Sequence, residues 1–147
     1  MIPWDKVNDL RHRADEFKQQ GDFAAMLPLR EEVARLLEDY GAAAKEVANG
    51  WNYVAYVNRQ IGDFPAAERA ARKSLAFYVE HSEGRDELLA SYLWMLWMTL
   101  VDQSRFAEAL PYVEEGVGLF AELHGEDDFV IARRADLAKI RGQLRQG

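Results

Sequence analysis

The sequence predicts an all-α fold: three helical hairpins stacked on one another, closed by a single capping helix. Three features point to it. A short pattern recurs along the chain, QGDFAAMLPL from Gln20, IGDFPAAERA from Ile61 and QSRFAEALPY from Gln103, with Phe23, Phe64 and Phe106 spaced 41 and 42 residues apart. Each copy has the chemistry of a tight turn between two helices. On both sides of each copy, apolar residues recur with the period of a helix, so each repeat reads as a hairpin that cannot bury its apolar face alone and must stack.

The elements follow in order. The first helix, over about residues 3–19, stops at Gly21, which can take the positive φ that ends a helix, and Asp22 can cap the second, over 22–39. Gly62 and Asp63 do the same between the third helix, 43–61, and the fourth, 63–81, where Pro65 sits in the first turn and its missing N–H costs little. The fifth helix runs over 86–103. In the third copy Ser104 stands where the glycine was, so Ser104 or Gln103 must make the turn with more strain before the sixth helix, 105–123. Pro28 and Pro111 each lie five residues past their phenylalanine, which suggests a tolerated kink or a late helix start in both copies. The seventh helix, 127–145, opens after Glu126, Asp127 and Asp128, acids suited to a helix N-terminus. Its expected inward residues are Val130, Leu137, Ile140 and Leu144, with Arg133, Lys139 and Arg145 toward water. Its register is open, since Gly142 and Gly147 both match the turn glycine.

Matched positions fix the expected core. Stepping back from each phenylalanine by 13, 9 and 6 residues gives Leu10, Ala14 and Phe17; Trp51, Ala55 and Asn58; and Leu93, Trp97 and Leu100. Stepping forward by 3 and 11 gives Met26 and Ala34; Ala67 and Leu75; and Ala109 and Val117. The apolar run from Leu88 to Val101 has 14 residues, too few for a span of about 20, and reads as a helix buried on most sides.

Composition narrows the function. A chain of 147 residues can bury one core, and it has no cysteine, which excludes disulfides, thiolate metal sites and cysteine nucleophiles and fits a reducing compartment, the cytoplasm being the default. Neither a signal peptide nor a lipidation motif is apparent. The net charge of −7 argues against nucleic acid or an anionic membrane as the main partner. The charge is uneven: residues 1–128 carry 13 basic against 24 acidic side chains, whereas 129–147 carry five basic residues against Asp136. A solvated helix face complementing the helix dipole accounts for the basic end better than a docking site for acidic partners.

The pattern resembles the tetratricopeptide repeat family in its variant of about 42 residues, found in kinesin light chains and many bacterial regulators. SRFAEALPYVEEGVGLFAELHGEDDFVIARRADLA carries the resemblance best. Arg13 and Asn58 depart from it where apolar residues are usual, and Trp97 where a small one is. The resemblance implies a right-handed α-α superhelix, a single domain over 1–147 with repeats at about 3–41, 43–82 and 86–124 and a capping helix at 127–145. It also implies a concave groove lined by the first helix of each hairpin. The groove candidates are Asn8, Arg11, His12, Asp15 and Lys18 on the first helix; Asn49, Asn52, Tyr53, Tyr56 and Arg59 on the third; and Ser91, Trp94, Met95, Met98 and Val101 on the fifth. The family's clamp for chaperone tails needs basic residues where this chain has Arg11, Asp15, Tyr53, Ser91 and Met95, so such tails are not expected ligands.

Catalysis is not expected. His12, His81 and His124 have no partners at metal-ligand or charge-relay spacing, the acids at 126–128 read as a cap rather than a cation loop, and no phosphate-cradling loop or nucleophile elbow is present. The expected role is therefore a cytoplasmic scaffold that holds a protein or peptide, with no cofactor or metal. Alternatives are self-association with a second copy, through the end of the stack or Trp94 and Met98, and a chaperone for a secreted protein, against which the long repeat counts.

Overall fold

A computed structural model describes residues 1–146. Seven helices follow one another: α1 (Trp4–Gln19), α2 (Phe23–Asp39), α3 (Ala44–Ile61), α4 (Phe64–His81), α5 (Glu87–Asp102), α6 (Phe106–His124) and α7 (Asp128–Gln146). They group into two compact units, one from Met1 to Ser82 and one from Glu83 onward. In the first, α1 packs on α2, α2 on α3 and α3 on α4; in the second, α5 packs on α6 and α6 on α7.

The three repeated turns share one hydrogen-bond pattern. In the first, the amide of Asp22 donates to Phe17 O at 2.9 Å and that of Gly21 to Lys18 O at 3.0 Å; Asp63 and Gly62 donate likewise to Asn58 O and Arg59 O, and Arg105 and Ser104 to Leu100 O and Val101 O. This paired closure satisfies the last carbonyls of a helix and requires a left-handed residue. Gly21 and Gly62 supply it with φ of 73° and 92°; Ser104 supplies it with φ of 58°. Asp22 and Asp63 then cap the following helices, accepting from the amides of Ala25 and Ala66. Arg105, at the same position before α6, provides no side-chain cap.

The matched positions are the core. All are buried except Phe17 and Leu75, which are half-buried. Asn58 is buried and satisfies itself by donating from Nδ2 to Val54 O at 3.1 Å, which is how a polar residue stands in an apolar position. Trp97, in the place of a small residue, is 2% exposed, and the room for it comes from α6: a Cβ on Gly116 would lie 2.4 Å from Trp97 Cζ3. Large and small have changed places across the hairpin.

Several expectations are corrected. Pro28 and Pro111 lie inside α2 and α6, which begin at Phe23 and Phe106, so neither helix starts late. Leu144 is 36% exposed rather than inward, because it lies in the last turn of α7, beyond the buried positions Val130, Leu137 and Ile140. Arg133 is not directed to water: its guanidinium carbon lies 4.8 Å from the Trp94 ring centroid and 4.9 Å from that of Phe129. Gly142 lies within α7 rather than at a turn, and Gly147 falls outside the described residues. Val130, Leu137 and Ile140 are buried, and Lys139 and Arg145 are exposed, as expected.

Candidate functional site

In the first unit, the candidates from α1 and α3 come together around one residue that was not among them. Arg30, on the buried face of α2, is 7% exposed. Its Nη2 donates to Asp15 Oδ1 at 2.9 Å, and its guanidinium lies over the Tyr53 ring, with Cζ 3.7 Å from the centroid. Its Nε has no hydrogen-bond partner. The signal for Arg30 was in the sequence: it occupies a helical-period position among Met26, Val33, Ala34 and Leu37, where a charge needs a partner from elsewhere.

Around this centre the side chains form a continuous polar and aromatic surface. Lys18 Nζ donates to the Tyr53 hydroxyl at 3.3 Å and lies 5.4 Å from the Tyr56 ring centroid. Tyr53 and Tyr56 meet edge to face at 5.5 Å, and Phe23 meets Tyr56 in the same way at 6.1 Å. The hydrogen bond to Tyr53 raises Lys18 above its usual value. Arg11 reaches across from α1 to Glu46 at 3.3 Å. Arg11, Arg30, Val33, Asn49, Gly50 and Tyr53 line a depression of about 190 Å³. Asn8 and Asn49 are exposed, Asn52, Tyr56 and Arg59 are half-buried, and Asn52 Oδ1 is buried without a hydrogen-bond partner.

In the second unit, the α5 candidates stand apart in character. Trp94, Met95 and Met98 are half-buried. Trp94 is part of an aromatic cluster, with ring centroids 5.2 Å from Phe129, 6.2 Å from Phe120 and 6.5 Å from Trp97, and it carries Arg133 on its face. The α7 helix thus covers part of Trp94, a contact between distant positions that periodicity within α5 could not reveal. Arg133 Nε lies 2.8 Å from Asp136 Oδ2, but at an angle that makes no hydrogen bond.

His124, for which no partner at metal-ligand or charge-relay spacing was expected, meets two carboxylates. Its Nε2 lies 2.7 Å from Glu87 Oε2 and its Nδ1 3.2 Å from Asp127 Oδ2. Among the described residues, no histidine and carboxylate side chains gather in a set that could hold a metal ion.

No protein-family model and no curated protein matches the chain. Solved structures do. The crystal structure of BtubC (BKLC) from P. vanneervenii superposes with a TM-score of 0.79 over 91% of the chain at 18% identity. The fold is tetratricopeptide-like. Kinesin light chain TPR-like repeats from Podosopora anserina give a TM-score of 0.80 over 99% of the chain at 15% identity, and a single-substitution variant of those repeats gives 0.80 over 95%. The chain spans 54% of the length of the first of these and 72% and 68% of the other two. The tetratricopeptide-like fold thus agrees with the repeat spacing. At these identities it speaks for the fold and leaves the ligand to the chain's own surface.

Proposed function

We propose that the chain is a protein- or peptide-binding scaffold without catalytic activity, and that its binding face includes α1 and α3 of the first unit. The observation that carries this reading is the surface formed by Lys18, Tyr53 and Tyr56 over the Arg30–Asp15 pair. Half-exposed tyrosines held rigid by cations and by each other suit a contact surface, because they offer large amphipathic area at little cost in side-chain entropy. Asn8, Arg11, Asn49 and Asn52 supply polar groups around them; in the second unit, taken by itself, Trp94, Met95 and Met98 offer an apolar contact surface. The net charge of −7 and the absence of cysteine support a partner that is protein rather than nucleic acid, in a reducing compartment such as the cytoplasm. Among the described residues, no helix is long and apolar enough to cross a membrane.

Panning a random displayed-peptide library against the whole chain tests the reading. A peptide consensus should emerge, and Lys18→Ala combined with Tyr56→Ala should weaken the enriched peptides roughly tenfold or more while leaving helicity and Tm in place. Unchanged affinity in the folded double variant rejects this face.

A second reading is favoured by one feature. The α7 helix presents Ile131, 55% exposed, at its surface, an apolar side chain that a second copy could cover. Sedimentation equilibrium at micromolar concentration decides it: a dimer that Ile131→Lys dissociates supports self-association, and a monomer removes it.

A further inference from the structure

His124 joins the ends of three helices. It closes α6, its Nε2 faces Glu87 Oε1 and Oε2 in the first turn of α5 at 3.0 and 2.7 Å, and its Nδ1 faces Asp127 Oδ2 at 3.2 Å, directly before α7. Both ring nitrogens therefore meet carboxylates. A neutral imidazole has a single N–H and would set its other lone pair against an oxygen, whereas the imidazolium donates to both. Asp127 meanwhile accepts the amide of Val130 through Oδ1 at 2.8 Å, so the residue that holds His124 also caps α7. The ring faces Phe129 at 6.0 Å and meets the edge of Phe120 at 5.9 Å; these two rings stand against Trp94. Asp128 is exposed, and other charges of this corner are engaged elsewhere. Glu126 holds Arg134 at 3.0 and 3.1 Å, Glu122 holds Arg85, and Asp86 caps α5 through the amide of Leu89. Glu87 from α5 and Asp127 directly before α7 are the acids that face the ring.

We propose that His124 is a pH-set pin that holds the first turns of α7 over the Trp94–Phe120–Phe129 cluster, and that Trp94 becomes more accessible when the pin is deprotonated. The consequence for ligand access rests on the reading of Trp94 as a binding-face residue; the pin itself does not. Its sign follows from the two acids. The hydrogen bonds to Glu87, then Asp127, hold His124 above its ordinary value of 6.5, so its contribution is complete below that pH and is lost as pH rises through the higher folded value. Asp127 is held below its ordinary 3.8, first by the Val130 amide and then by His124, so its contribution is present above 3.8 and is lost as pH falls through the lower folded value. The pin is closed between these limits and opens on the alkaline side. Leu137 and Ile140 are buried further along α7 and are independent of the pin, so the proposed opening is confined to the start of the helix.

The test follows the His124 ring by NMR titration and the exchange of the 131–134 amides, corrected for intrinsic rates, in the whole chain. His124 should titrate above 6.5, and protection of these amides should fall on the order of three- to tenfold between about pH 6 and pH 8.5, with α6 amides unchanged. Glu87→Gln, which removes an acid without touching the α7 cap, should lower the His124 midpoint and flatten that fall, as should His124→Gln. A midpoint at or below 6.5, protection independent of pH, or a fall that persists in both variants overturns the pin. Exchange of the Trp94 indole N–H with water should rise in the same range. A working pin with unchanged Trp94 exchange overturns the access control alone, and either result is independent of the peptide selection on the first unit.

Discussion

At the scale of single residues, two positions show how local rules and packing trade against each other. Ser104 holds the left-handed conformation that Gly21 and Gly62 hold in the other turns. A side chain there costs about 1–2 kcal/mol, of which roughly 0.5–1 kcal/mol returns because serine has less freedom than glycine to lose on folding. Ser104→Gly should therefore stabilise the protein by about 0.5–1 kcal/mol, read as a higher urea midpoint with unchanged m-value. Gly116 is the opposite case. Alanine is better by about 1 kcal/mol within a helix, yet the new Cβ would press on the buried Trp97 ring, and overpacking costs about 1–3 kcal/mol. Gly116→Ala should thus be net destabilising by up to about 2 kcal/mol in the same assay, and Trp97→Leu should remove the conflict, so that the pair of changes is strongly non-additive.

At the scale of elements, the helices are defined by their ends more than by their interiors. Asp22, Asp63, Asp86 and Asp127 each accept an amide three residues on, at α2, α4, α5 and α7. Asp63→Ala should cost about 1 kcal/mol by thermal or urea unfolding, as typical for a lost cap. Buried polar atoms then tie helix to helix. Ser74 Oγ donates to Ala48 O at 2.7 Å, from α4 to α3, and the Trp51 indole donates to Glu38 Oε1 at 2.8 Å, from α3 to α2. Ser74→Ala should cost about 1 kcal/mol, the net value of a buried hydrogen bond, with no loss of helical signal. The helix boundaries were legible because turn glycines, capping acids and the helical period are local properties; most expected ends agree with the observed ones to within a residue or two. Leu144 and Arg133 were misplaced because the orientation of α7 depends on what packs against it, and no local rule contains that.

At the scale of the whole molecule, charge sets a boundary on function. With a net charge of −7, the chain should show no binding to a duplex of about 20 base pairs at micromolar concentration and about 0.15 M salt, by fluorescence anisotropy; the basic stretch of α7 is offset in part by the Arg134–Glu126 and Arg141–Glu114 pairs. The sequence by itself determined the all-helical repeat, its turns, its caps and nearly all of the repeated core, because a pattern that recurs at 41 and 42 residues restates one local solution three times. Tertiary structure alone decided the rest. It placed Arg30 of α2 between Asp15 and Tyr53, set Arg133 on Trp94, and brought His124 against Glu87, 37 positions away. Those pairings depend on which helix faces which, and that is fixed by the packing of whole hairpins rather than by the periodicity of any one helix.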